Sequence, residues 1–124
     1  MSEIFESVKP KCGEVWMCNL GKAGSSVQYG TRPVYILSNN INNLHSPTLN
    51  VIPITSKMNK RHLPVHVELW NYMEYGLHMP STMLIEQIMT ISAETLDRKI
   101  GEIADSNTVT SIRKAMSIQF PILQ

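Results

Sequence analysis

The chain has 124 residues, one domain's worth, and its 43% hydrophobic and 17% charged content suits a packed core, not a disordered tail. Eleven Lys and Arg against ten Asp and Glu leave a formal charge of +1, too small for a protein that coats polyanions but compatible with a short, specific nucleic-acid site. No apolar run approaches the roughly 18 residues of a membrane helix. The start, Met1-Ser2-Glu3-Ile4-Phe5-Glu6, has acid where a secretory signal has base and no apolar stretch after it, so a soluble cytoplasmic protein is expected.

In chain order, residues 1–10 read as a loose lead-in to a single domain spanning 1–124, and Lys9 to Gly13 as a turn-like entry to the first strand. Glu14 to Leu20 reads as strand one. Gly21 to Gly30, with three glycines and two serines, is a flexible loop. Arg32 to Ser38 is strand two, with Pro33 tolerated only near its start. Asn39 to Pro47 is a polar connection with room for a short helical turn. Asn50 to Thr55 is strand three, where Pro53 suggests an edge or a bulge. A basic loop from Ser56 to Pro64 precedes strand four, Val65 to Leu69. Met83 to Ile88 and Met89 to Ile91 read as further strands, Ser92 as the cap of a short turn, and Arg98 to Ile103 as the last strand. Val109, Ile112, Met116 and Phe120 then recur at helical spacing, with Asp105 or Ser106 as cap and Pro121 as stop. No connection holds a βαβ helix, so the expected class is mostly β with a C-terminal α-helix, built as a small antiparallel barrel.

Few residue patterns point to chemistry unaided. Cys12 and Cys18, if both lie on one strand, are about 20 Å apart and cannot bridge; reduced, partly buried thiols are expected. His62 and His66 are four apart, but Pro64 forbids the helix that would make them joint metal ligands. In a strand they stand about 13 Å apart. Isolated His45 and His78 read as solvated. Lys57, Lys60 and Arg61 form a basic cluster suited to phosphate positioning or simply to solvent. The eight methionines read as adaptable core filler, some at a partner surface. There is no Walker loop, nucleophile elbow or metal-hydrolase motif.

Gln28-Tyr29-Gly30-Thr31-Arg32-Pro33-Val34 resembles the Gln-x-Gly-x-Arg-Pro-Val signature of the MazF/PemK family of toxin endoribonucleases. The likeness continues in order through Cys12-Gly13-Glu14-Val15-Trp16, Ile36-Leu37-Ser38-Asn39-Asn40, Ser46-Pro47-Thr48, Ile54-Thr55-Ser56, Leu63-Pro64-Val65-His66-Val67-Glu68 and Leu84-Ile85-Glu86-Gln87-Ile88, from about Lys11 to Phe120. The resemblance implies the plasmid-maintenance-toxin fold, an SH3-like barrel with a C-terminal helix. It implies a homodimer with a groove for single-stranded RNA across its interface. It also implies metal-independent, cofactor-free, sequence-specific cleavage of mRNA, in which the 2′-hydroxyl attacks the adjacent phosphate and leaves a 2′,3′-cyclic phosphate and a 5′-hydroxyl. Finally it implies a MazE-like antitoxin whose disordered C-terminal segment blocks the groove.

Arg32 matches the family's catalytic arginine and Thr55 its catalytic threonine. A guanidinium offers planar donors to the non-bridging oxygens of the transition state, and a threonine hydroxyl can donate to the same phosphate. A guanidinium, with a pKa above about 12, has almost no neutral form at pH 7, so the general base is left open, with His66 a candidate. Gln28 and Gln87 match groove positions where an amide can read a base edge. Lys57 and Lys11 are candidates for backbone phosphate. Two departures matter. Val27 stands where many members have Glu, which puts a carboxylate-dependent mechanism in doubt, and Cys12 stands where some relatives have a basic residue. The rival readings are a gyrase-poisoning toxin of the same fold, which would not need Arg32 and Thr55, and an RNA binder silenced by the Val27 change.

Overall fold

The computed structural model describes residues 9–22, 27–57 and 63–124. Seven strands form one antiparallel sheet: β1 (Glu14–Asn19), β2 (Thr31–Ile36), β3 (Thr48–Thr55), β4 (His66–Leu69), β5 (Ser81–Leu84), β6 (Met89–Ser92) and β7 (Leu96–Glu102). Their path is β4-β5-β3-β2-β1-β7, with β6 also paired to β3. The polar connection holds a short helix, α1 (Asn40–His45), capped by the Asn39 side chain, which accepts from Asn42 N. The C-terminal helix, α2 (Ser106–Gln119), starts at the Asp105 cap and is followed by a 3-10 turn at Pro121–Leu123. Cys12 lies before β1, not in it, and is exposed, whereas Cys18 is buried within β1. No helix among the described residues is long and apolar enough to cross a membrane.

Pro53 does not mark an edge. β3 lies inside the sheet, bonded to β2 on one side and to β5 and β6 in turn on the other. Leu37 N donates to Asn50 O at 3.0 Å, so by alternation Pro53 turns its donor-less nitrogen away from β2. There the partner changes: β6 holds Thr48 to Val51 and β5 holds Ile54 and Thr55. The same break corrects the expected strand Met83–Ile88. The strand stops at Leu84, whose place opposite Pro53 offers no N–H, and Ile85–Gln87 is a 3-10 turn closed by Ile88 N donating to Ile85 O. That turn carries the chain from one half of β3 to the other.

Alternation along the strands makes two apolar faces. The inner face collects Tyr35, Ile52, Ile54, Val67, Leu69 and Met83 under α2, which buries Ile112 and Ala115. Phe120, expected in that stripe, is 36% exposed at the C-cap. The outer face holds a smaller cluster of Cys18, Val34, Ile36, Leu49, Val51 and Ile91 beneath the β6–β7 turn.

The expected barrel is not closed by hydrogen bonds, since β4 and β7 end the path. The gap is spanned by packing. The 3-10 turn Tyr72–Tyr75 in the β4–β5 connection rests on β7, with backbone in contact between Tyr75–Gly76 and Ile100–Gly101. Only glycine fits at Gly76 and Gly101: a Cβ on either would enter the facing carbonyl, and Gly76 also sits at φ 80°.

Candidate active site

Arg32 is the second residue of β2 and Thr55 the last of β3. Val34 pairs with Pro53, Tyr35 with Ile52 and Ile36 with Val51. Carried two residues past its last pair, that register sets Arg32 level with Thr55, where the strands splay. By alternation both lie on the outer face. The Arg32 guanidinium is fixed from one side, with Nε donating to Tyr29 O at 2.8 Å and the group 5.6 Å from the Tyr29 ring centroid. It also lines a cavity of about 320 Å³ with Ser56, His78 and Arg98. Thr55 is only 5% exposed, and its Oγ1 accepts from Lys57 N at 3.2 Å.

The row continues beyond Thr55. Thr55 pairs with Thr82 in β5, and Thr82 with Glu68 in β4. Paired residues in an antiparallel ladder share a face, and Val67, Leu69 and Met83 occupy the inner one. Arg32, Thr55, Thr82 and Glu68 therefore stand across four strands on the outer face, the threonines buried and the two charged residues partly exposed. Sequence reasoning assigned no role to Glu68 or Thr82. Alternation in Val65-His66-Val67-Glu68-Leu69 puts His66 and Glu68 outward, but which residue of another strand stands beside them is a matter of register.

His66 belongs to the next row, paired with Leu84. Its ring is 5% exposed, with Nε2 2.7 Å from Glu86 Oε2. A carboxylate there makes Nε2 the protonated nitrogen, while Nδ1 is buried with no partner among the described residues. Glu86 was likewise unassigned. Gln28 and Gln87 are brought together, with Gln28 N donating to Gln87 Oε1 at 2.9 Å. The Gln28 side-chain oxygen is buried and has no partner among the described residues.

Lys11 is not in this group. Gly13 N donates to Ile36 O, which puts Lys11 at the far end of β2 from Arg32. Its N–H donates to Glu14 Oε1, and it lines a separate groove of about 1030 Å³ along β1 and β7. In that groove burial pushes the Glu14 carboxyl up, but hydrogen bonds from Trp16 and Lys11 and the Lys99 ammonium at 3.0 Å bring it below its ordinary value. Lys57 is exposed, while Lys60, Arg61 and His62 lie outside the described residues, as does Ser26 beside the exposed Val27. Burial pushes both cysteine thiols up, which disfavours the thiolate that a nucleophile would need.

Comparison with known proteins adds a family. Residues 11–120 match the family described as PemK-like, MazF-like toxin of type II toxin-antitoxin system. The chain is 35% identical over 113 residues to Endoribonuclease EndoA of Bacillus subtilis (strain 168), spanning 91% of this chain and 96% of that protein. Its fold is similar to that of the Mycobacterium tuberculosis toxin MazF-mt6, with a TM-score of 0.72 and 25% identity over 87% of this chain and 96% of that one. A mycobacterial endoribonuclease in complex with its cognate antitoxin gives a TM-score of 0.70 at 24% identity, over 91% and 96% of the two chains.

Proposed function

The chain belongs to the PemK-like, MazF-like toxins of type II toxin–antitoxin systems, a family of endoribonucleases, and we propose that it cuts single-stranded messenger RNA at the face carrying Arg32 and Thr55. The register that sets these two side chains level on neighbouring strands carries the reading. The 2′-hydroxyl attacks the adjacent phosphate, leaving a 2′,3′-cyclic phosphate and a 5′-hydroxyl. The Arg32 guanidinium, aimed by Tyr29 O, donates to the non-bridging oxygens as negative charge gathers there. Thr55 donates to the same phosphate from the floor of the site. The reaction uses no metal, and a DNA strand, lacking the 2′-hydroxyl, is inert.

Gln28 and Gln87, already joined by a hydrogen bond, read base edges beside the cut. His66 lines the same face, Lys57 meets backbone phosphate beyond Thr55, and Lys11 meets a more distant stretch of strand. A homodimer extends the groove, and a MazE-like antitoxin segment covers it. A protein that cuts messenger RNA acts in the cytoplasm, the compartment this reading implies.

The test is incubation with a long single-stranded RNA in EDTA, beside Arg32→Ala, with ends mapped by primer extension. Discrete cuts at a repeated short sequence, lost in the variant, are expected. Wild-type cutting by the variant overturns the assignment of Arg32. No cutting by folded wild-type protein shifts the weight to a gyrase-type poison or a silenced RNA binder.

A further inference from the structure

The cavity of about 320 Å³ that Arg32 lines has an apolar floor of Met17, Pro33, Ile54 and Ile100. Met17 pairs with Pro33 across β1 and β2 and with Arg98 across β1 and β7. The three therefore share a face, and Arg98 is the cation at the β7 end of that row. Arg32, Arg98 and His78 stand round the cavity, and no carboxylate is among its described lining residues. Arg98 also lines the groove of about 1030 Å³ along β1 and β7, with Lys11 and Trp16. Among the described residues it alone lines both spaces. The buried acid of the groove, Glu14, is neutralised by the Lys99 ammonium at 3.0 Å. The Arg98 side chain is 65% exposed, and its Nη1 donates to Asp97 Oδ2 at 2.9 Å. A pair so open to solvent holds weakly, and a phosphate can take two donors of one guanidinium at once.

Resting on the ribonuclease reading above, we propose that Arg98 is a strand-positioning residue, which holds a phosphate flanking the cut and leads the RNA from the cavity of Arg32 into the groove of Lys11. The nucleotide next to the cut lays its base on the apolar floor of the cavity, with Arg32 and Arg98 on the phosphates at its two ends. The strand then continues past Trp16, whose ring offers the following bases a stacking face. Arg98 makes and breaks no bond, so it acts on binding and leaves the chemical step alone.

The experiment compares Arg98→Ala with wild type, in binding to RNA carrying a 2′-deoxy sugar at the cut and in single-turnover cleavage of the all-ribose strand. Affinity is expected to fall about five- to tenfold, and the slope of log affinity against log salt by about 0.7, the mark of one lost phosphate contact on a single strand. The cleavage rate at saturating enzyme should stay within about threefold of wild type. Arg98→Lys, which keeps the charge, should keep the slope and recover part of the affinity; it also stands in should the alanine variant fail to fold. Trimming the RNA on the side of the cut that runs to the groove should abolish the difference between wild type and Arg98→Ala, and trimming the other side should preserve it. Unchanged affinity and salt slope in Arg98→Ala overturn the proposal, as does a difference that survives trimming on both sides, or a loss confined to the saturated rate. A wild type that cuts nothing fails the ribonuclease reading, a result separate from these.

Discussion

Asp105 carries two duties with one carboxylate. Oδ2 accepts from Thr108 N at 3.0 Å as the cap of α2, and Oδ1 accepts from the Tyr75 hydroxyl at 2.7 Å. The hydrogen bonds from Thr108 and Tyr75 hold its carboxyl below the ordinary 3.8, while burial pushes the Tyr75 hydroxyl up. A folded-state pKa below the unfolded one gives stability that is present above the unfolded value and lost as pH falls through the folded one. Stability to urea should therefore fall as pH drops below the ordinary 3.8 and on through the lowered folded value, and Asp105→Asn, which still caps, should flatten that fall. An equal acid response in the variant would remove Asp105 from the account. His66 and Glu86 are coupled at the same scale, since a ring 5% exposed has its one polar contact among the described residues in that carboxylate.

At the scale of elements, α2 and the site use opposite faces of the same strands. Ile112 and Ala115 enter the inner core with Val67 and Leu69, whereas Glu68, on the same strand, faces outward. Ile112→Ala should cost about 2 to 5 kcal/mol in urea unfolding and leave the cleavage rate per folded molecule unchanged. A large loss of that rate, with the fold intact, would mean the two faces are coupled. The Ile85–Gln87 turn has the contrary character, for it serves both faces. Ile85 is buried in the core, while Glu86 reaches His66 and Gln87 reaches Gln28. A short turn forced by Pro53 thus delivers two polar side chains to the outer face.

At the scale of the molecule, the sheet is open by hydrogen bonding and shut by a backbone contact. Tyr75–Gly76 lies on Ile100–Gly101 closely enough that neither glycine has room for a Cβ. This contact ties the β4–β5 connection to the far edge strand, and it bounds the cavity that Arg32 lines. Gly101→Ala should lower unfolding free energy by about 2 kcal/mol or more, because backbone must move to admit the methyl group. A variant as stable as wild type would show that the strap is not seated there.

The class of elements is legible along the chain, since alternation, turn residues and the stripe Val109–Ile112–Met116 are local properties. Short motifs in order, by their resemblance to a family, also made Arg32, Thr55, Gln28 and Gln87 candidates. The sequence left Pro53 between edge and bulge, read a strand through Ile85–Gln87, and expected a closed barrel, because each of those depends on which strand lies alongside. Strand pairing, visible in the folded molecule alone, sets Thr55, Thr82 and Glu68 in one row from β3, β5 and β4, with Arg32 of β2 level with it by the extended register. Register is set by pairing between segments distant along the chain, and a shift of one residue would have turned Glu68 into the core and Leu69 out to the site.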